Sequence, residues 1–299
     1  MQVFNKLDIA IKLPILIIAL GLISSISTGT IALIRANNLA IVGAKEKLES
    51  LEASRNKTLE IYLSSIKQDL SSLAYSDEVQ EAVHDFKKGW QALTSGQTQK
   101  LQKLYINDNP HPTGAKEELD FADDGSSYSL SHKKYHPWFR HVLRQKSYYD
   151  IFIFSTDGNL VYTVFKELDY ATNLNSGKWK DTDLGHSFRA ALKSKSKDEQ
   201  FFYDFKPYGP SFDAPASFIS QAIYDDAKNI IGVLVFQMPI NRINEVMQVS
   251  AGLGESGETY IVGQDQYMRS DSRFSEESTI LKTKVTGETV DLVVSQSLT

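Results

Sequence analysis

The chain has no cysteine among its 299 residues, which excludes disulfides, thiolate metal sites and a cysteine nucleophile. A chain of this kind is compatible with an oxidising compartment such as a periplasm. It also lacks a strong charge of either sign. The net charge is -5 and the basic residues are scattered, so the concentrated basic face that phosphate backbones require is missing and nucleic acid is not an expected partner. Gly-x-Ser-x-Gly, phosphate-loop and His-Glu-x-x-His patterns are absent. No catalytic residue, metal or cofactor is therefore expected, and the chain does not read as an enzyme.

Charge is missing altogether from Leu13 to Ile34, a run long enough to cross a bilayer as a helix. A cleaved signal peptide is the rival reading. Ser24 to Thr30 is polar enough to suit it, but Ile31 to Ile34 restores hydrophobicity where a mature chain should begin, which favours an uncleaved anchor. Lys6 and Lys12, partly offset by Asp8, precede the run and place residues 1–12 in the cytoplasm. Residues 13–34 then span the membrane and everything after Arg35 lies outside the cell membrane.

The length allows about two domains, and 41% hydrophobic residues suffice for a packed core. Leu48, Leu51, Leu59, Tyr62, Ile66, Leu70 and Leu73 recur at helical spacing, with no proline from Asn38 to Leu93. This predicts a long amphipathic stalk within 35–105, able to pair with a second copy of itself or to brace the next domain. Loop residues dominate from Asn107 to Ser131. Helical spacing returns from Tyr135 to Gln145.

Tyr149 to Phe154 then reads as a buried strand, turned by Asp157-Gly158-Asn159 into a second one, Leu160 to Phe165, with positive φ supplied by Asp-Gly. A helix at Ser187 to Leu192 and strands at Gln200 to Phe205, Ser217 to Tyr224 and Ile230 to Met238 complete an α+β plan. The plan is a PAS-like antiparallel sheet with helices, over residues 106–242. A helix at Ile243 to Val249 and a strand at Glu258 to Val262 open a further segment, 243–299.

Tyr148-Tyr149-Asp150-Ile151-Phe152-Ile153-Phe154, followed by Asp157-Gly158-Asn159-Leu160-Val161-Tyr162-Thr163-Val164-Phe165-Lys166-Glu167, resembles the extracellular double Cache sensor domains of methyl-accepting chemotaxis proteins. So do Ala214 to Ile219, Gly252 to Gly263 and Met268 to Phe274. The resemblance implies a membrane-distal lobe that binds a small molecule, the start of a membrane-proximal lobe at 243–299, and a homodimer formed through the stalk. It also implies a second membrane helix, a relay and a methylated cytoplasmic coiled coil, none of which is in this sequence, so the chain reads as part of a longer receptor in a bacterial inner membrane. The same sensor plan occurs on cyclases and histidine kinases, and an anchored binding module without output is the remaining alternative.

Gly252, Gly254 and Gly257 fit a dinucleotide fingerprint, but they follow a helix and enter a strand, so they read as a turn. His132, His136 and His141 suggest a metal site. Pro137 interrupts their register and no acidic residue completes a set, which makes them surface or loop histidines. The expected ligand site is a cavity lined by Trp138, Tyr149, Tyr162, Phe165, Tyr208 and Phe218. Arg140 and Asp204 stand at its ends to hold a carboxylate or an amine. Amino-acid-binding members of the family carry Arg-x-Trp-Tyr, whereas this chain has Trp138-Phe139-Arg140. The expected ligand is accordingly an organic acid, an amine or another polar metabolite.

Overall fold

The computed structural model describes residues 8–297. Lys6 and most of the expected cytoplasmic segment therefore lie outside the described residues. The described residues form two compact units, 8–56 with 251–255, and 57–250 with 256–297.

Helix α1, Ile9–Ala74, carries the charge-free run and is long and apolar enough there to cross a membrane. Leu16, Ile17, Leu20 and Ile23 are all exposed, as residues facing lipid are. Its last turns bury Ile66, Leu70 and Ala74 in the core of the second unit. The stalk does not continue to Leu93 as one helix. Ser76 adopts an extended conformation and its side chain accepts from the Val79 amide, which starts a new helix, α2, Asp77–Ala92. Asp77 and Glu78 in that first turn complement the helix dipole.

Short helices α3, Gln97–Gln102, and Lys103–Asn107 lead into a loop. Helix α4, Ser127–Lys146, begins earlier than periodicity suggests because Ser126 caps the Ser129 amide. Pro137 sits inside α4 without ending it. The proline is exposed, so the carbonyl it leaves without a donor can turn to water.

The sheet consists of β1 (Asp150–Ser155), β2 (Leu160–Thr163), β3 (Gln200–Tyr208), β4 (Ala214–Tyr224) and β5 (Ile230–Gln237), all antiparallel and ordered β2-β1-β5-β4-β3. This is the PAS-like α+β fold expected. Alternation along the strands separates two cores. Ile151, Ile153, Leu234 and Phe236 face α2 and α4, whereas Phe152, Phe154, Phe218 and Val235 face α5, Asp183–Leu192, through Leu184 and Phe188. Only Gly158 takes a positive φ, 88°, in the β1–β2 turn. The turn is thus a bulged one, not a pair of left-handed residues at Asp157 and Gly158.

Two glycines set how closely the layers approach. A Cβ on Gly89 of α2 would lie 2.7 Å from Tyr128 Cα of α4, and one on Gly232 of β5 would lie 2.7 Å from the Phe154 carbonyl oxygen.

After β5 come α6, Ile240–Met247, and α7, Glu288–Ser297. The strand expected at Glu258 to Val262 is reduced to an isolated bridge between Val262 and Met268. Gly252 and Gly254 have positive φ and stand in turns, as expected of them.

Candidate functional site

Asp150 opens β1 and is fully buried. Its carboxylate accepts from the amides of Ile151 (2.7 Å), Val164 (2.9 Å) and Phe165 (3.2 Å) and from the Thr163 hydroxyl. The chain leaving β2 is thereby pinned to the start of β1. Desolvation dominates over these donors and pushes the carboxyl well above its usual range.

The pinned segment delivers three ionisable groups to the interior. Lys166 has φ 57° and is 1% exposed. Its Nζ donates to the Val164 carbonyl at 2.9 Å and lies 3.5 and 3.4 Å from Nδ1 and Nε2 of His136. Near-equal distances to both nitrogens place it over the imidazole rather than in a hydrogen bond within the ring plane. Among the described residues no carboxylate lies within ion-pairing distance of it. Burial brings its pKa down to about 7. Glu167 accepts from Tyr149 (2.8 Å) and from Ser211, and burial raises it above the ordinary carboxylate range. Asp169, 0% exposed, accepts from Tyr208 at 2.5 Å through Oδ2, while Oδ1 has no partner. Burial pushes it up to about 7.

Helix α4 closes the cluster from above the sheet. Tyr162 and His136 share a 2.7 Å hydrogen bond, and His136 Nε2 meets the Glu117 carbonyl at 2.7 Å. His132 stacks on His136 with centroids 4.3 Å apart and bonds the Asp120 carbonyl. Burial holds both imidazoles well below their usual pKa. They are therefore buried neutral groups and not the surface or loop residues expected, because Pro137 leaves the helical register intact. His141 is exposed. Arg140 donates to the Glu117 carbonyl at 2.6 Å and pairs with Asp120 at 2.7 Å.

A cavity of about 60 Å³ adjoins the cluster, lined in part by Lys116, Phe165, Lys166, Glu167, Leu168 and Phe212. An open groove of about 690 Å³ shares Phe165 and adds Tyr149, Arg144, Ile240, Arg242 and Asp271. Tyr149 and Phe165 stack at 5.3 Å, with 18° between the rings.

Arg140, Tyr149, Tyr162, Phe165 and Tyr208 are thus gathered around one polar cluster. Trp138 is not in it: it is half-buried and packs edge-on against Phe139 at 4.8 Å. Phe218 belongs to the core on the α5 face, against Tyr208 (5.0 Å) and Phe152 (6.2 Å). Asp204 does not stand with Tyr208. It is exposed at a bulge within β3 and pairs with Arg269 at 2.9 Å. Lys166, Glu167 and Asp169 were not among the expected site residues. The signal was a Lys-Glu-x-Asp run two residues after a fully buried strand, where Lys166 and Asp169 are buried and Glu167 is half-buried.

No family model matches the chain, and no curated protein matches it. Among solved structures it is similar to the extracellular domain of vpHK1S-Z8, described as a histidine kinase, at 13% identity over 78% of this chain and 68% of that one, with a TM-score of 0.45. It is similar to the ligand-binding domain of the Campylobacter jejuni chemoreceptor Tlp3 in complex with 4-methylisoleucine, at 13% identity over 70% of each chain and a TM-score of 0.34. It is also similar to the sensor domain of the V. cholerae histidine kinase DctB, at 12% identity over 66% of this chain and 73% of that one, with a TM-score of 0.34.

Proposed function

We propose that the chain is the membrane-anchored, extracytoplasmic ligand-sensing part of a bacterial signalling receptor. The observation that carries this reading is helix α1. One helix contains a charge-free run fit to cross a membrane and, at Ile66, Leu70 and Ala74, contributes to the core of a PAS-like lobe. A change in the lobe's packing thus acts on the element that enters the bilayer.

The ligand is a small polar metabolite with an anionic group, held at the Lys166–Glu167 cluster. A buried lysine without a carboxylate partner favours such a group, since an incoming carboxylate supplies the charge that burial has denied it. Tyr149, Phe165 and Arg140 flank the site. A ligand shifts the receptor only by its difference in affinity between two states of the lobe. We read the output as a methyl-accepting chemotaxis module, on the resemblance of Gly252 to Gly263, and the stalk as pairing with a second copy. The full sequence of the gene tests the output, where a kinase or cyclase domain is the opposing result.

The test of sensing is a thermal-shift screen of the complete chain in lipid nanodiscs against organic acids, amino acids, amines and purines. Binding to the folded state raises the melting temperature by mass action. A carboxylate that raises it in the native chain, and no longer does so in Lys166→Met, is the expected result. A well-folded protein that responds to none of the compounds contradicts the reading.

A further inference from the structure

We propose that the lobe also senses protons directly, with Lys166 and Asp169 as the two titrating groups. Both lie on the segment that joins β2 to α5, and both are buried without an opposite charge in contact. The segment runs between two non-glycine residues in the left-handed region, Lys166 (φ 57°) and Ala171 (φ 59°). It is held by side chains from three directions: Tyr149 and Ser211 on Glu167, Tyr208 on Asp169, and Tyr128 on the Tyr170 hydroxyl at 2.8 Å. Charging a group inside this clamp sets desolvation against the hydrogen bonds that close it.

The groups facing Lys166 are His132, His136 and Arg140 from α4, Glu117 and Asp120 from the preceding turn, and Asp150 from β1. Those facing Asp169 are Tyr208 from β3, Glu167 from its own segment and Asp150. The histidines, the usual switches near neutral pH, are not the sensors here. Tyr162 and the Glu117 carbonyl occupy both nitrogens of His136, the Asp120 carbonyl occupies Nδ1 of His132, and burial with the Lys166 amine keeps both rings neutral.

The two groups act in opposite senses. Asp169 is raised from 3.8 to about 7. The folded chain therefore holds a proton that the unfolded chain releases, and this contribution to stability is lost as pH rises from 4 through 7. Lys166 is lowered from 10.5 to about 7. Its contribution is present at high pH and is lost as pH falls towards 7. Together they place a minimum of stability near neutral pH, each arm changing the folding constant by at most about tenfold per pH unit.

The experiment is thermal melting of the complete chain in nanodiscs from pH 5 to 9, for the native protein, Asp169→Asn, Lys166→Met and the double variant. Relative to the native chain, Asp169→Asn gains stability as pH rises from 5 to 7 and no further above it. Lys166→Met gains stability as pH falls from 9 to 7 and no further below. Difference curves without slope overturn the proposal. So does a slope that survives in the double variant and vanishes in His136→Gln. If a variant fails to fold, hydrogen exchange on the native chain decides, after correction for the intrinsic rate: protection of Val164 to Tyr170 passes through a minimum near pH 7, and uniform protection from pH 5 to 9 overturns the proposal. These measurements need no small ligand, so their outcome is independent of the ligand screen.

Discussion

Tyr208 donates its phenol hydrogen to Asp169 at 2.5 Å, and the bond joins the two edges of the sheet. Tyr208 ends β3 at one edge, and Asp169 lies on the chain that has just left β2 at the other. The candidate site is built around this closure. Both partners are buried and the second carboxyl oxygen of Asp169 has no donor, so the tyrosine supplies the acid's only side-chain hydrogen bond among the described residues.

Tyr208→Phe removes that donor while leaving the ring in place. An unsatisfied buried polar group costs about 1–3 kcal/mol, so the melting temperature of the variant is expected to fall by several degrees at pH 8, where Asp169 is mostly ionised. The loss shrinks at pH 5, where the neutral acid needs the bond less. An equal loss at both values speaks against the assignment.

Gly89→Ala tests the packing of α2 on α4. The added methyl would meet the Tyr128 backbone, which cannot swing aside as a long side chain can, so a loss of about 1–3 kcal/mol is expected. Chemical denaturation measures it. A variant as stable as the native chain means that the helices cross further apart.

Asp204→Ala separates a surface pair from a ligand contact. Asp204 is half-exposed and its partner Arg269 keeps Asp265 at 2.9 Å. The expected cost is below about 1 kcal/mol, with no effect on the thermal shift caused by any compound. Loss of a compound's shift in this variant, with the fold intact, returns Asp204 to the site.

The absence of cysteine makes topology measurable with one substitution. Ala227, in the exposed β4–β5 turn, is changed to cysteine, and a membrane-impermeant maleimide is applied to spheroplasts of cells that express the chain. Labelling without lysis is expected of a lobe on the outer side of the membrane. Labelling that requires lysis places the lobe in the cytoplasm.

The sheet was legible because alternation and unbroken apolar runs fix strands strongly: β5 was expected from Ile230 and starts there, and β1 and β3 differ by only a few residues. The break at Ser76 was written in Ser-Asp-Glu, a capping signal masked by the apolar spacing that continues on either side of it. Pro137 misled in the other direction, since a proline on an exposed helix face is tolerated and both buried histidines keep their register. Of the expected aromatic residues, Tyr149, Tyr162, Phe165 and Tyr208 lie by the buried ionisable cluster, which the sequence reading did not name. Phe218 packs in the core on the α5 face and Tyr162 bonds His136, while Lys166 and Asp169 entered the core only because the chain after β2 folds inwards. That turn is set by Asp150, fifteen residues before Phe165, and no local pattern encodes so distant a bond.

Hydrogen exchange of the complete chain in nanodiscs, with and without the first compound to raise its melting temperature, locates the ligand. Binding at the proposed site protects Val164 to Tyr170 together with Tyr149, and the protection disappears in Lys166→Met. Protection confined to other segments, with these amides unchanged, contradicts a sensor site built on Lys166 and Glu167.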